Sequence, residues 1–144
     1  MPAGDRTLEV VTGWVEKAEN DLKNATLTLR AGRDCPADTV AFHAQQCAEK
    51  YLKALLSFRA VDFPKIHDIE QLLALADLGN RVRLSVEEQR LLTDYATVTR
   101  YPGNYDPVAL PEARRAVTLA RRVRAAVRKE LPRSTRTKKR PQRR

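Results

Sequence analysis

An antiparallel bundle of four to five α-helices, followed by a basic tail, is the fold class that this sequence predicts. Apolar residues recur three and four positions apart in successive stretches, and one of these, Phe42 to Leu56, contains neither Gly nor Pro. Gly and Pro gather instead between the stretches, and no segment alternates as a half-buried strand would. Helices packed around one core are the compact solution to such a pattern, and 144 residues suit a single core.

The elements follow in order. Pro2 and Gly4 argue for a loose start, and from about Thr7 the positions Val10, Val11, Trp14, Val15, Ala18, Leu22, Ala25 and Leu29 keep helical spacing until Gly32 offers a left-handed stop. Cys35-Pro36 resets the chain, with Pro36 or Asp38 suited to the first turn of a second helix. That helix runs to about Arg59, before Pro64 disfavours helical geometry at Phe63. Val40, Ala44, Cys47, Ala48, Tyr51, Leu52 and Leu55 form its apolar stripe. His43, Gln46 and Lys50 fall on a second face, with Gln45, Glu49 and Lys53 as a parallel row beside it.

Asp68 and Gln71 read as a capping box for a short third helix, Ile69 to about Asp77, closed by Gly79-Asn80. Ser85 and Glu88 form a second box, opening a fourth helix whose buried side carries Val86, Leu91, Leu92, Tyr95, Ala96 and Val98 and which ends near Arg100. Pro102, Gly103, Asn104, Asp106 and Pro107 then force a loop by backbone geometry. Pro111 starts a fifth helix with Ala113, Ala116, Val117, Ala120, Val123 and Val127 on one side and Arg114, Arg121 and Arg128 on another. The expected division is a helical domain over residues 7–131 and a disordered basic tail over 132–144, which has no apolar residue to bury.

The net charge of +9 is unevenly placed: residues 1–110 hold 13 Lys/Arg against 16 Asp/Glu, residues 111–131 hold 7 against 2, and residues 132–144 hold 7 against none. Attraction to phosphate would therefore begin at the C-terminal end. On a flexible arm, seven cations suit non-specific binding of RNA or DNA, or serve only solubility. Nowhere do eighteen apolar residues run together, and the N-terminus lacks a signal pattern, so a soluble, cytoplasmic protein with no membrane contact is expected. Cys35 and Cys47 have no metal-ligand spacing; neither a metal site nor a cofactor is expected.

The string FHAQQCAEKYLKALL resembles the second helix of HEPN domains, small all-helical domains named for supposed nucleotide binding. Trp14, Ala18, Asp21 and Leu22 precede it as in that family, and His67-Asp68-Ile69 and Tyr95-Ala96-Thr97-Val98-Thr99-Arg100-Tyr101-Pro102-Gly103 follow in the right order, so the resemblance covers roughly residues 12–128. Members that cleave RNA carry an Arg followed four to six residues later by a His. The chemistry accounts for the pair: metal-independent cleavage needs a proton-transfer group titrating near neutrality and a cation for the phosphorane. Here Arg100 is followed at that spacing by Tyr105, a phenol with an ordinary pKa of about 10, and Arg59 lies too far from His67. The nuclease pattern is absent, as in a HEPN subgroup with a similar Arg-Tyr-Pro-Gly segment.

The candidate ligand residues are His43, Gln46, Lys50, Tyr95, Arg100 and Tyr101. Arg100 suits a phosphate, with Tyr95 or Tyr101 to stack a base or donate a hydrogen bond; as plain structure, Arg100 is a helix-terminal cation and Pro-Gly a turn. The polar face of the second helix lines a cleft, meets water, or forms a dimer seam. His67 has a local role beside its capping box. The resemblance implies a homodimer that binds nucleotide or RNA without cleaving it, paired with a minimal nucleotidyltransferase in a toxin–antitoxin-like system. Two alternatives stand: a metal-independent ribonuclease in which folding brings His43 to Arg100, and a structural scaffold for a partner protein.

Overall fold

A computed structural model describes residues 4–98, 102–103 and 106–136. Five helices form: α1 Asp5–Leu29, α2 Ala37–Phe58, α3 Ile69–Ala76, α4 Val86–Ala96 and α5 Leu110–Glu130, with no strand among the described residues. Arg100 and Tyr101 lie outside those residues, as do Tyr105 and the tail from residue 137.

The second helix is the axis of the molecule, because it touches all four of the others. Its expected apolar stripe is wholly enclosed, and Ala41, Ala44, Ala48 and Ala54 alternate there with Tyr51, Leu52, Leu55 and Leu56. Small side chains let neighbouring helices approach, and the large ones fill the space between them. Each fully buried Leu contributes roughly 1.5–3 kcal/mol. Partners that climb one helix as they descend the next make α1 antiparallel to α2 (Glu19 with Tyr51, Asp21 with Lys50) and α4 antiparallel to α5 (Glu88 with Arg122, Tyr95 with Glu112).

Helix ends follow local chemistry. The end of α2 is set before Pro64 is reached, by a Schellman closure in which Val61 N–H bonds Leu56 O at 2.9 Å and Ala60 N–H bonds Ser57 O at 3.2 Å. Ala60 holds the left-handed position, φ 55°, that glycine usually fills. Ser85 and Glu88 make both bonds of their capping box, at 3.1 and 2.9 Å. Asp68 accepts from Gln71 N–H at 3.0 Å, but the expected return bond from the Gln71 amide is not formed; Ile69 N–H is instead held by Thr93 Oγ1 of α4 at 2.9 Å.

Three expectations need correction. Helix α4 ends at Ala96, short of Arg100, so Val98 lies past its last turn and is exposed. Val86, in the first turn of α4, and Val10, at the margin of the α1 stripe, are also exposed. The packed unit does not end at Leu131: Arg133–Thr135 form a single 3-10 turn against α1, Thr135 is completely buried, and Arg136 donates to Arg128 O.

Candidate polar site between the first two helices

Three carboxylates hold the seams of α2, and each is a hub for several partners. Asp21 projects from α1 between His43 and Lys50, accepting from His43 Nδ1 on Oδ1 at 2.8 Å and from Lys50 Nζ on Oδ2 at 2.6 Å. Positions 43 and 50 are two turns apart and share a face, so one carboxylate bridges both. Gln46, between them, turns sideways and donates to Gln45 Oε1 at 2.7 Å.

Glu49 is the second hub. The row Gln45, Glu49, Lys53 is buried, at 0%, 3% and 7% exposure, so it does not meet water. Lys53 Nζ bonds Glu49 Oε2 at 3.1 Å, Gln45 Nε2 bonds Oε1 at 3.0 Å, and His67 Nδ1 lies 2.7 Å from the same oxygen. Gln45 also donates to His67 O at 3.1 Å, tying the loop before α3 to α2. A buried lysine survives here because its charge is matched by Glu49 and faces the rings of Trp14 and Phe63, at 5.7 and 5.8 Å. His67 thus has a partner on α2, not only a place beside the Asp68 cap.

Glu19, two residues before Asp21 on α1, completes the set. Tyr51 Oη donates to its Oε2 at 2.5 Å, while Arg124 of α5 grips both oxygens at 2.7 and 2.9 Å. Burial alone would lift the Glu19 carboxyl, but the bonds from Arg124 and Tyr51, with the charges of Arg124 and Arg128, hold it below its ordinary value of 4.5. Burial, then the bond to Glu19, pushes the Tyr51 phenol up. Burial also raises the Cys47 thiol far above its ordinary range, leaving it inert.

The structure therefore joins His43 and Lys50 through Asp21, sets Gln46 beside them, and places Tyr95 elsewhere. Tyr95 is 1% exposed and donates to Glu112 Oε2 at 2.5 Å, so its ring has no face open to a base. Pro102 and Gly103 line a depression of about 430 Å³ with Cys35, Ala37, Asp38, Pro107 and Val108, at the start of α2. His43, Gln46 and Lys50 do not line that depression. None of the three hubs was visible as such in the sequence. A lone carboxylate beside an apolar stripe is a weak signal, and its partners on other elements lie 18 to 105 positions away.

Chemically, Asp21 against His43 Nδ1 fixes the ring; with the proton on Nδ1, Nε2 is left as an acceptor, and among the described residues nothing engages it. Lys50 supplies a cation on the same carboxylate. No group of three or more potential metal ligands occurs among the described residues, and no helix is long and apolar enough to cross a membrane.

A five-helix domain with an apolar central helix whose polar face is clasped by carboxylates defines the class. The family model for the HEPN domain matches residues 11–130, well over half of the chain, and the chain belongs to that family. No curated protein and no solved structure matches it.

Proposed function

We propose that this chain is a non-catalytic HEPN module that binds nucleotide or RNA as a homodimer, acting with a minimal nucleotidyltransferase in a toxin–antitoxin-like pair. The observation that carries the non-catalytic part is the state of the two histidines the chain possesses. Neither stands at the spacing from an arginine that the family's nucleases use, and both present Nδ1 to a carboxylate that also holds a lysine, Asp21 for His43 and Glu49 for His67. The ligand set is His43, Gln46 and Lys50 with Arg100 and Tyr101, while Tyr95, enclosed and bonded to Glu112, is left out of it. The cytoplasm is where such a pair works.

The test is binding and cleavage measured together. The purified chain, incubated with mixed RNA in EDTA, should leave the RNA intact while binding nucleotide or RNA; Lys50→Ala and Arg100→Ala should weaken binding. Light scattering after gel filtration should give twice the chain mass, and a mass of one chain at micromolar concentration removes the dimer. Co-expression with a nucleotidyltransferase encoded beside it should yield a complex.

One observation favours a second reading, a metal-independent ribonuclease. Asp21 orients His43 as a carboxylate orients a general base, and Lys50 is placed to meet phosphorane charge. Cleavage in EDTA that His43→Ala abolishes selects this reading over the first.

A further inference from the structure

Helix α5 carries seven basic residues between Pro111 and Leu131, and the structure divides them sharply. Arg115 and Arg122 lie 2.9 and 3.9 Å from Glu88. On the opposite flank, Arg124 and Arg128 lie 2.7 and 3.8 Å from Glu19. Glu112 is taken by Tyr95, and Glu130 by Arg59 and Arg81. Every carboxylate in these contacts is used. Arg114, Arg121 and Lys129 are left exposed with no side-chain hydrogen bond or ion pair among the described residues.

These three are not scattered. At 100° per residue, Arg114, Thr118, Arg121, Ala125 and Lys129 fall within one strip along the outer side of α5, about 10 Å from Arg114 to Arg121 and about 12 Å from Arg121 to Lys129 along the axis. Thr118 and Ala125 fill the intervals with side chains too short to hold a ligand off, and the Thr118 hydroxyl folds back on Arg114 O at 3.3 Å. The strip offers no aromatic anchor of the kind that protein interfaces use among their hot spots, and among the described residues its two arginines have no carboxylate beside them. A row of unneutralised cations without aromatic anchors fits a polyanion.

We infer that this strip is a docking surface for the sugar–phosphate backbone of single-stranded RNA, an inference that rests on the RNA-binding reading above and assigns the contact to residues outside the Asp21 cluster. At about 3.4 Å of axis per nucleotide of a stacked strand, the three cations meet roughly every third phosphate. The contact is independent of base sequence, since nothing in the strip reads a base edge. The flanking arginines stay on their carboxylates and fix the helix that presents the strip.

The test is fluorescence anisotropy on the full chain with a labelled mixed-sequence oligoribonucleotide across a salt series. Three variants are compared with the parent: Arg114→Gln/Arg121→Gln/Lys129→Gln, the same three positions changed to Glu, and a tail variant with Lys138, Lys139 and Arg140 changed to Gln. The glutamine triple should melt like the parent, lower the salt slope by about 2 and weaken binding about 100-fold at 0.1 M salt relative to 1 M. The glutamate triple should bind more weakly still, while the tail variant keeps the strip's share of the slope. A parent that binds RNA together with a glutamine triple of unchanged affinity and slope overturns the strip and leaves the RNA-binding reading standing. A parent that binds no RNA at any salt overturns both. A triple variant that changes the mass of the protein in solution and not its RNA affinity also overturns the inference, making the strip a seam between copies.

Discussion

Arg124 of α5 reaches across 105 positions to grip Glu19 of α1 through two parallel bonds, at 2.7 and 2.9 Å, while Tyr51 of α2 donates to the same carboxylate at 2.5 Å. Three helices thus close on one side chain. Because the geometry is two-pronged and under a third exposed on each partner, Glu19→Gln should cost about 2–3 kcal/mol, read as a lowered urea midpoint.

The same carboxyl makes stability acid-sensitive. Its folded-state pKa lies below its ordinary 4.5, so its contribution is complete above 4.5 and is lost as pH falls through the lower folded value. Glu88, depressed by the Ser85 backbone N–H and by Arg115, acts with the same sign. The urea midpoint of the parent should fall on acidification below pH 4.5, and Glu19→Gln should flatten part of that fall.

Asp21→Asn is a different lesion, because it leaves His43 and Lys50 in place without their shared anion. Removing one member of a partly buried ionic cluster costs more than the cluster contributes, so a loss of roughly 2–4 kcal/mol is expected. Asp21→Asn/Lys50→Met should recover part of it, and a double variant no more stable than Asp21→Asn would argue that Lys50 is indifferent to its partner.

Glu49→Ala should be the most damaging of the polar substitutions, at roughly 3–5 kcal/mol, since it strands a buried Lys53 and releases His67 and Gln45 together. Trp14, the single tryptophan, faces Lys53 at 5.7 Å, so its fluorescence should shift as that lysine seeks water.

Ala60→Gly should stabilise. Ala60 is exposed and sits at φ 55° in the closure of α2, where a Cβ is strained, and the gain should be up to about 1 kcal/mol, seen as a raised melting temperature. An unchanged or lowered melting temperature would mean that the greater freedom of glycine in the unfolded chain outweighs that relief.

What the sequence made legible is what depends on near neighbours. The stripe from Val40 to Leu55, the Ser85–Glu88 box and the Pro111 start are set by residues three or four apart, and they stand where periodicity puts them. The polar side of α2 was legible as a face but not in its use. Gln45, Glu49 and Lys53 look like a solvated row until Trp14, Phe63 and His67 cover them, and those arrive from other elements. Membership of the HEPN family was legible from the second helix and its flanking residues, whereas the pairing of Asp21 with both His43 and Lys50 depends on how two helices are set against each other. The four neutralised arginines of α5 teach the same lesson: their count is in the sequence, but which three cations remain is decided by Glu19 and Glu88.

The turn at Arg133–Thr135 turns the start of the tail into a stopper. Thr135, wholly enclosed and bonded to Pro132 O at 2.7 Å, seals a notch beside α1 that a chain cut at Leu131 would leave gaping. A reporter or an affinity handle therefore belongs after Arg136 and not after Leu131, with residues 132–136 kept in place to hold that seal.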